Sequence, residues 1–521
     1  MRPSCLRFAL GLLLVLAAGC ATLPERSRHT IEYARQDVAE TPLARIAADA
    51  TPADQPTLSG FRLLPGGESA FNARIALARR ATRSLDVQYY LVADDETGRG
   101  FLRELRDAAQ RGVRVRLLVD DLHAGRADRL LKGLAAYPNV QVRLFNPLPV
   151  RGESTVMRLL FSLHEFKRVN HRMHNKLFVA DNTFAIVGGR NVADEYFMNS
   201  PEGNFLDMDV LAIGPVVREL SAVFDSYWNS RRAYAIEELL AGLPAQGARD
   251  HFDAAVQAAS GRLGEHQRDM AGNSSLLRQL DRGTLTLVHA PARVLADSPD
   301  KAAAGQAAPA GTVAQQTLTL LASARDEVRI VSPYFIPGAR GLEIVRALGS
   351  SEPNTRMTLL TNSLGSTDEP LAYAAYASYR RDLLKAGVRI HELSPTLSRD
   401  STGLSYLQPA VGRLHTKMLT VDRRWLFIGS MNLDPRSANV NTETGIVIDS
   451  PELARQVNRV LAHGIASGAY RLRLGSDADR IEWVETDWQG NERTHATEPH
   501  DRAWRRLRIW LLRPFVSEDL L

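Results

Sequence analysis

Cysteine is almost missing from these 521 residues, which contain only Cys5 and Cys20. Both sit in an N-terminal stretch with export character. Removal of that stretch up to Cys20 leaves no pair to form an intrachain disulfide, so stability must come from buried apolar surface. Lysine is scarce too, with six of the 64 basic residues, at positions 132, 167, 176, 301, 385 and 417. An ammonium is a compact point charge that a guanidinium fork does not replace, so two of the six recurring in a repeated motif marks that motif. Also missing is any run of 18 or more apolar residues, which excludes an ordinary transmembrane helix. Charge decides less: a net +5 and a pI near 9.2 admit anionic partners without separating phospholipid from nucleic acid. What is present is a globular composition, 45% hydrophobic and 24% charged, long enough for more than one domain.

The first twenty residues begin with Arg2 and Arg7, continue through an apolar run at 8–18 and end Leu16-Ala17-Ala18-Gly19-Cys20. That ending resembles the lipobox of bacterial lipoproteins, in which the cysteine is acylated and becomes the new N-terminus. The expectation is a signal at 1–20 and an Ala-, Thr- and Pro-rich tether at 21–57. The body is then lipid-anchored at Cys20, facing the periplasm from the bacterial cell envelope and lying on a membrane rather than crossing it. Ala21 resembles the residue that follows the cysteine in lipoproteins sorted to the outer membrane.

Beyond the tether the hydrophobic periodicity alternates between helix and strand, and the same order occurs twice. A helix at 71–78, the strand "SLDVQYYLV", a helix and the strand "RVRLLVDDL" are matched by a helix at "QQTLTLLASA", the strand "EVRIVSPYFI", a helix and the strand "RMTLLTNSL". Strand, helix, strand units favour a parallel sheet with helical cover. The fold class is α/β, with an N-terminal lobe at 58–235, a connector at 236–284, a C-terminal lobe at 285–470 and an extension at 471–521. In the extension, Trp504, Leu507 and Leu511 take helical spacing with arginines between them, as interfacial helices do.

Each lobe reaches one copy of the repeat. "HNKLFVAD" at 174–181 returns as "HTKMLTVD" at 415–422, both His-x-Lys-x4-Asp. Strand alternation puts His174 with Lys176, and His415 with Lys417, on one side. A second strand follows in each lobe, "TFAIVGGRN" and "WLFIGSMN", bringing small residues, Ser430 among them, and then Asn191 and Asn432. Lysine, amide side chain and backbone amides freed by small residues form a cradle for phosphoryl oxygens. Two half-sites facing one another enclose one phosphodiester. One imidazole then attacks phosphorus and the other gives the leaving alcohol its proton. A buried carboxylate behind each ring fixes its tautomer, and Glu443 and Asp209, on the strands after the motifs, are the candidates. Asp181 and Asp422, at the turn after each motif strand, pin that turn. His123, His164 and His171 lack ligand spacing, so no metal or cofactor is expected.

These stretches, with "RMHNK", "VGGRN", "FIGSMNLDPRS" and "NTETG", resemble the phospholipase D superfamily, and within it the cardiolipin synthases, those of the C type in particular. The resemblance runs from about residue 60 to near the C-terminus. It implies two αβα lobes packed about a pseudo-twofold axis, metal-free phosphatidyl transfer, and His174, Lys176, Asn191, His415, Lys417 and Asn432 as site residues. His174 is implied as nucleophile and His415 as acid, then base. The implied substrates are phosphatidylethanolamine or phosphatidylglycerol as donor and phosphatidylglycerol as acceptor. The commoner members begin with transmembrane helices, which a lipobox-like signal replaces here. An insertion at 156–166 with Met157, Leu159, Leu160, Phe161, Leu163 and Phe166 reads as an apolar lip for the bilayer. The rival readings are a phospholipase D hydrolase, a nuclease, and a non-catalytic phosphate-binding lipoprotein. An anchor and an apolar lip count against nucleic acid, and two intact His-Lys pairs against loss of catalysis. Protein partners are not legible.

Overall fold

The computed structural model describes residues 23–26, 30–259, 274–302, 311–351, 354–395, 411–477, 480–487 and 489–500. The leader with Cys20, and the C-terminal segment in which an amphipathic helix is expected, lie outside them. Among the described residues no helix is long and apolar enough to cross a membrane.

Two large sheets carry the fold, with nine strands in one and ten in the other among the described residues. In the first, Ser84–Tyr89, Arg114–Asp120 and Val140–Phe145 run parallel, joined by the helices Glu96–Gln110 and Asp128–Ala135. On the other side of Ser84–Tyr89 lie Leu177–Ala180, Phe184–Gly188, Asp209–Ile213 and Ser59–Leu64, each antiparallel to its neighbour. The second sheet repeats this order and sense with Glu327–Val331, Arg356–Asn362 and Arg389–Leu393 parallel. Met418–Val421, Trp425–Gly429, Thr444–Asp449 and Ala292–Ala296 follow antiparallel.

Each sheet is therefore mixed, and the parallel arrangement read from the sequence holds only for its first three strands. The motif half is built from hairpins, whose connections are too short for a parallel crossover. Asp181 and Asn182 turn the chain with φ of 49° and 46°, and Asp422 and Arg423 with 52° and 55°. The left-handed region is where Asp and Asn serve best, because their short side chains bond to nearby backbone. The Asp181 carboxylate accepts from the amides of Thr82, Arg83 and Ser84, and Asp422 from those of Arg325, Asp326 and Glu327. Each aspartate ties its hairpin to the start of the neighbouring strand.

Period-two alternation splits the motif strands between two cores. Phe178 and Ala180 pack outward beneath the N-lobe helices with Ile75, Leu105 and Val115. Leu177 and Val179 face inward, into a core shared with Met418, Ile428, Ile446 and Leu453 of the other lobe. That shared core fixes one lobe against the other and so places the two motifs face to face.

Ordered packing begins earlier than the expected tether allows. Helix Pro42–Ala50 is capped by Thr41, whose hydroxyl accepts from Ala44 N at 3.1 Å, and Leu43 and Ala47, one turn apart, enter the N-lobe core. Upstream, Ala34 N donates to Asp225 at 2.8 Å. At the other end, strands Ala469–Leu474, Ile481–Thr486 and Glu492–His495 continue the second sheet past residue 470.

Candidate active site

The segments that carry the two histidines stop just short of their strands and are tied to the opposite lobe. His174 N donates to Thr442 O at 2.9 Å, and Thr442 N donates back to Arg172 O at 2.9 Å. In the other half, Val411–Leu414 pairs in parallel with Gly203–Leu206, and His415 N donates to Leu206 O at 2.8 Å. The exchange is reciprocal, as a pseudo-twofold axis requires.

The side chains cross in the same way. His174 Nδ1 lies 3.0 and 3.1 Å from the carboxylate oxygens of Glu443, and His415 Nδ1 lies 2.8 Å from Asp207 Oδ2. A carboxylate only accepts, so each Nδ1 carries the proton and each Nε2 is left with its lone pair. Both rings are nearly closed off from solvent, at 9% and 5% exposure. Lys176 Nζ donates to the carbonyl of His174 at 2.7 Å and Lys417 Nζ to that of His415 at 2.6 Å, leaving further N–H groups on each ammonium for an anion.

Electrostatics here are dominated by lost hydration. Burial brings His174 down to about 4, against the opposing pull of Glu443, and drives His415 well below its ordinary range with Lys417 and Lys176 adding to the effect. Burial also lowers Lys417 to about 8 and Lys176 well below a lysine's usual value. Four basic groups in one dry pocket disfavour each other's protonation, and a bound anion favours the protonated form of each.

Asp209 is not the partner of either histidine. Its carboxylate is fully buried against Arg74 at 2.9 Å and Arg190 at 3.3 Å, beneath the hairpin. The repeat itself contains the signal for the right residue. Strand register matches Gly188 with Asp209 and Gly429 with Gly445, so Asp209 corresponds to Gly445 and Asp207 corresponds to Glu443. Ser430 also departs from the expected phosphate contact. Its hydroxyl donates to Glu443 and its amide to Thr444 O at 2.9 Å, which commits it to orienting the carboxylate. Gly189 takes its place in the other lobe, where a Cβ would sit 2.5 Å from Asp207 Oδ2. A shorter acid on a glycine thus balances a longer acid on a serine.

Asn191 and Asn432 each bury a side-chain oxygen that no protein group meets. Asn191 Nδ2 is 2.9 Å from the Tyr196 hydroxyl. A half-turn of that amide lets the tyrosine donate to oxygen and aims the NH2 outward, as a phosphoryl oxygen needs. The walls are aromatic: Tyr90 packs 5.2 Å from the His174 ring with Lys176 Nζ 5.4 Å from its centroid, and Tyr196 packs 5.0 Å from His415. Tyr196 was not singled out in the sequence, since its place beside His415 comes from the crossing of the lobes. His171 is occupied by Val440 O at 2.9 Å and His123 by the Tyr90 hydroxyl at 3.1 Å. Among the described residues no group of three or more His, Cys, Asp or Glu is placed to hold a metal ion.

A family model described as "Cardiolipin synthase, PLD-like domain" matches residues 75–228 and again 317–464, one match in each lobe. The chain is 35% identical over 485 residues to cardiolipin synthase C of Escherichia coli K12, covering 92% of this chain and all of that one. The chain belongs to the phospholipase D superfamily. Within it, the chain is of the cardiolipin synthase-like kind and an enzyme. A cardiolipin synthase of Staphylococcus aureus strain Mu50 is 26% identical over 82% of this chain and 72% of that one. Among solved structures, the phosphatidylserine synthase of Haemophilus influenzae Rd KW20 shares the fold, with a TM-score of 0.56 at 16% identity over 83% of this chain and 92% of that one.

Proposed function

We propose that this superfamily member takes a phosphatidyl group from phosphatidylethanolamine or phosphatidylglycerol and passes it to the free glycerol hydroxyl of a second phosphatidylglycerol, forming cardiolipin. The single observation that carries the reading is the crossed pair of histidine–carboxylate contacts, each imidazole of one lobe held by an acid of the other. Phospholipid phosphatidyl transfer is also what the cardiolipin synthases among its relatives are named for.

His174 Nε2 attacks phosphorus, the bond to the head-group alcohol breaks, and the His415 imidazolium delivers a proton to the leaving oxygen. The product is a phosphatidyl-histidine and a neutral His415. The acceptor hydroxyl then gives its proton to His415 Nε2 and its oxygen attacks phosphorus, which frees His174. Burial favours the neutral form of both histidines in the empty site, so His415 takes its proton from solvent as the substrate binds, because the negative charge of the phosphodiester favours the imidazolium. Lys176, Lys417, Asn191 and Asn432 hold the phosphoryl oxygens, and the fixed carboxylates hold each ring at its angle.

The purified chain incubated with both lipids in mixed micelles yields cardiolipin and free ethanolamine by mass spectrometry, and His174→Ala yields neither. Phosphatidic acid without cardiolipin would mean that water takes the phosphatidyl group instead. The leader supports an enzyme anchored in the bacterial envelope by an acylated Cys20. Incorporation of labelled palmitate that is lost on Cys20→Ser is the test, and unchanged incorporation would remove the anchor from that position.

A further inference from the structure

Of the large apolar side chains exposed among the described residues, all but Ile31 and Tyr33 lie in one short segment. They are Val156, Met157, Leu160, Leu163 and Phe166, from 47% to 75% exposed. Helix Thr155–Leu160 has Val156, Met157 and Leu160 within one 100° arc and Arg158 opposite them. Arg158 is buried, and its guanidinium donates to Asp121 O at 3.0 Å, Leu122 O at 3.3 Å and Val150 O at 3.2 Å, besides pairing with the Asp121 carboxylate. Farther along, Arg168 donates to Pro147 O at 2.8 Å and Asn146 Oδ1 at 2.9 Å. An inward arginine near each end presses the segment onto the lobe and leaves its apolar side facing out.

The loop that holds this lip also builds the active site. Asp120 pairs with Arg172 at 3.0 Å and accepts from Met173 N at 2.8 Å, immediately before His174. Asp121 and Leu122 hold Arg158. His123 meets the Tyr90 hydroxyl, and Tyr90 packs on the His174 ring. Four consecutive residues thus connect the exposed apolar face to the nucleophile's surroundings.

We infer that residues 156–166 form a docking lip that enters the acyl region of a phospholipid bilayer and sets the active-site mouth at the depth of the head-group phosphates. The inference rests on the proposed lipid activity, since a substrate that keeps its acyl chains in the bilayer can reach His174 only where the mouth meets the membrane. Charge points the same way: exposed Lys167 follows Phe166, and the chain as a whole is net +5, which suits an anionic surface.

The test places an indole on the lip by Phe166→Trp in the full chain, bound to vesicles of phosphatidylethanolamine and phosphatidylglycerol, with the unsubstituted chain measured in parallel. Brominated acyl chains are expected to quench the added emission at least twofold, and equal emission on brominated and plain vesicles would overturn the lip. A second variant, Leu160→Gln with Leu163→Gln and Phe166→Gln, is expected to be at least tenfold slower on vesicles and unchanged on short-chain phosphatidyl substrates dissolved as monomers. Unchanged rates on vesicles, or equal loss on both substrates, would contradict docking. If the intact chain transfers from neither substrate, the proposed activity fails, and the quenching result alone decides the lip.

Discussion

His415 and Asp207 come from opposite lobes, and their side chains meet at 2.8 Å inside the shared site. Replacing Asp207 by Asn removes the acceptor that fixes the Nδ1 proton, and kcat is expected to fall on the order of 10²- to 10⁴-fold with little change in melting temperature. Asp209→Asn is expected to do the reverse. It leaves Arg74 and Arg190 without their buried counter-charge and costs roughly 3–5 kcal/mol of stability, read by denaturant unfolding. A catalytic defect from Asp209→Asn at unchanged stability would return Asp209 to the site.

Ser430 acts on His174 through Glu443. The hydroxyl's hydrogen bond is among the interactions that hold Glu443 below its ordinary value. Without it, the carboxylate becomes a stronger acceptor and His174 a stronger base. Ser430→Ala is therefore expected to slow turnover by about tenfold and to move the acid limb of the kcat/KM profile upward in pH. A parallel drop with no shift in that limb would assign Ser430 to packing alone.

Anion binding and protonation are coupled. His174 is held at about 4 against an ordinary 6.5, so between those pH values the unfolded chain binds a proton that the folded chain refuses. This contribution to stability is fully present above pH 6.5 and is lost as pH falls toward 4. A bound tetrahedral anion reverses the balance by raising the histidines and lysines together. Tungstate titrated calorimetrically at pH 7 in buffers of different ionisation enthalpy is expected to show net proton uptake and tighter binding at lower pH. Proton release, or binding that does not change with pH, would contradict the electrostatics of the site.

Asp181 and Asp422 carry their hairpins. Asp181→Ala strands the amides of Thr82, Arg83 and Ser84 and puts a residue without a helpful side chain at positive φ. Stability is expected to fall by about 3 kcal/mol, from the one buried amide left unsatisfied, that of Ser84, at about 1–3 kcal/mol and from the strain of a positive φ, with kcat of the folded fraction unchanged. Loss of kcat without loss of stability would bring Asp181 into the chemistry.

Much of this was legible in the chain. The repeat gave two lobes because it was written twice in periodicity and in motif, and the scarcity of lysine singled out Lys176 and Lys417. The sense of the strands was hidden, since fully buried strands look alike whether parallel or antiparallel; only the short turns at Asp181 and Asp422 decide it. The partner of His415 was hidden for a different reason. Asp207 and Asp209 are both acids two residues apart, with the same strand parity, and only superposing the repeats separates them. The crossing of carboxylates between lobes, the commitment of Ser430 to Glu443 and the place of Tyr196 beside His415 arise from how two surfaces meet. No local pattern encodes that. The apolar segment at 156–166 could be read as a lip, but its outward face is set by Arg158 reaching back to Asp121.

The proposed covalent intermediate on one histidine, resolved by the other, is tested most directly with an activated donor. With a p-nitrophenyl ester of phosphatidic acid the leaving group needs no proton, so His415→Ala should release a burst of one p-nitrophenolate per site and then stall with the phosphatidyl group on His174. His174→Ala should give no burst. A burst from His174→Ala with none from His415→Ala would exchange the two roles, and the absence of any burst from either variant would contradict a covalent path.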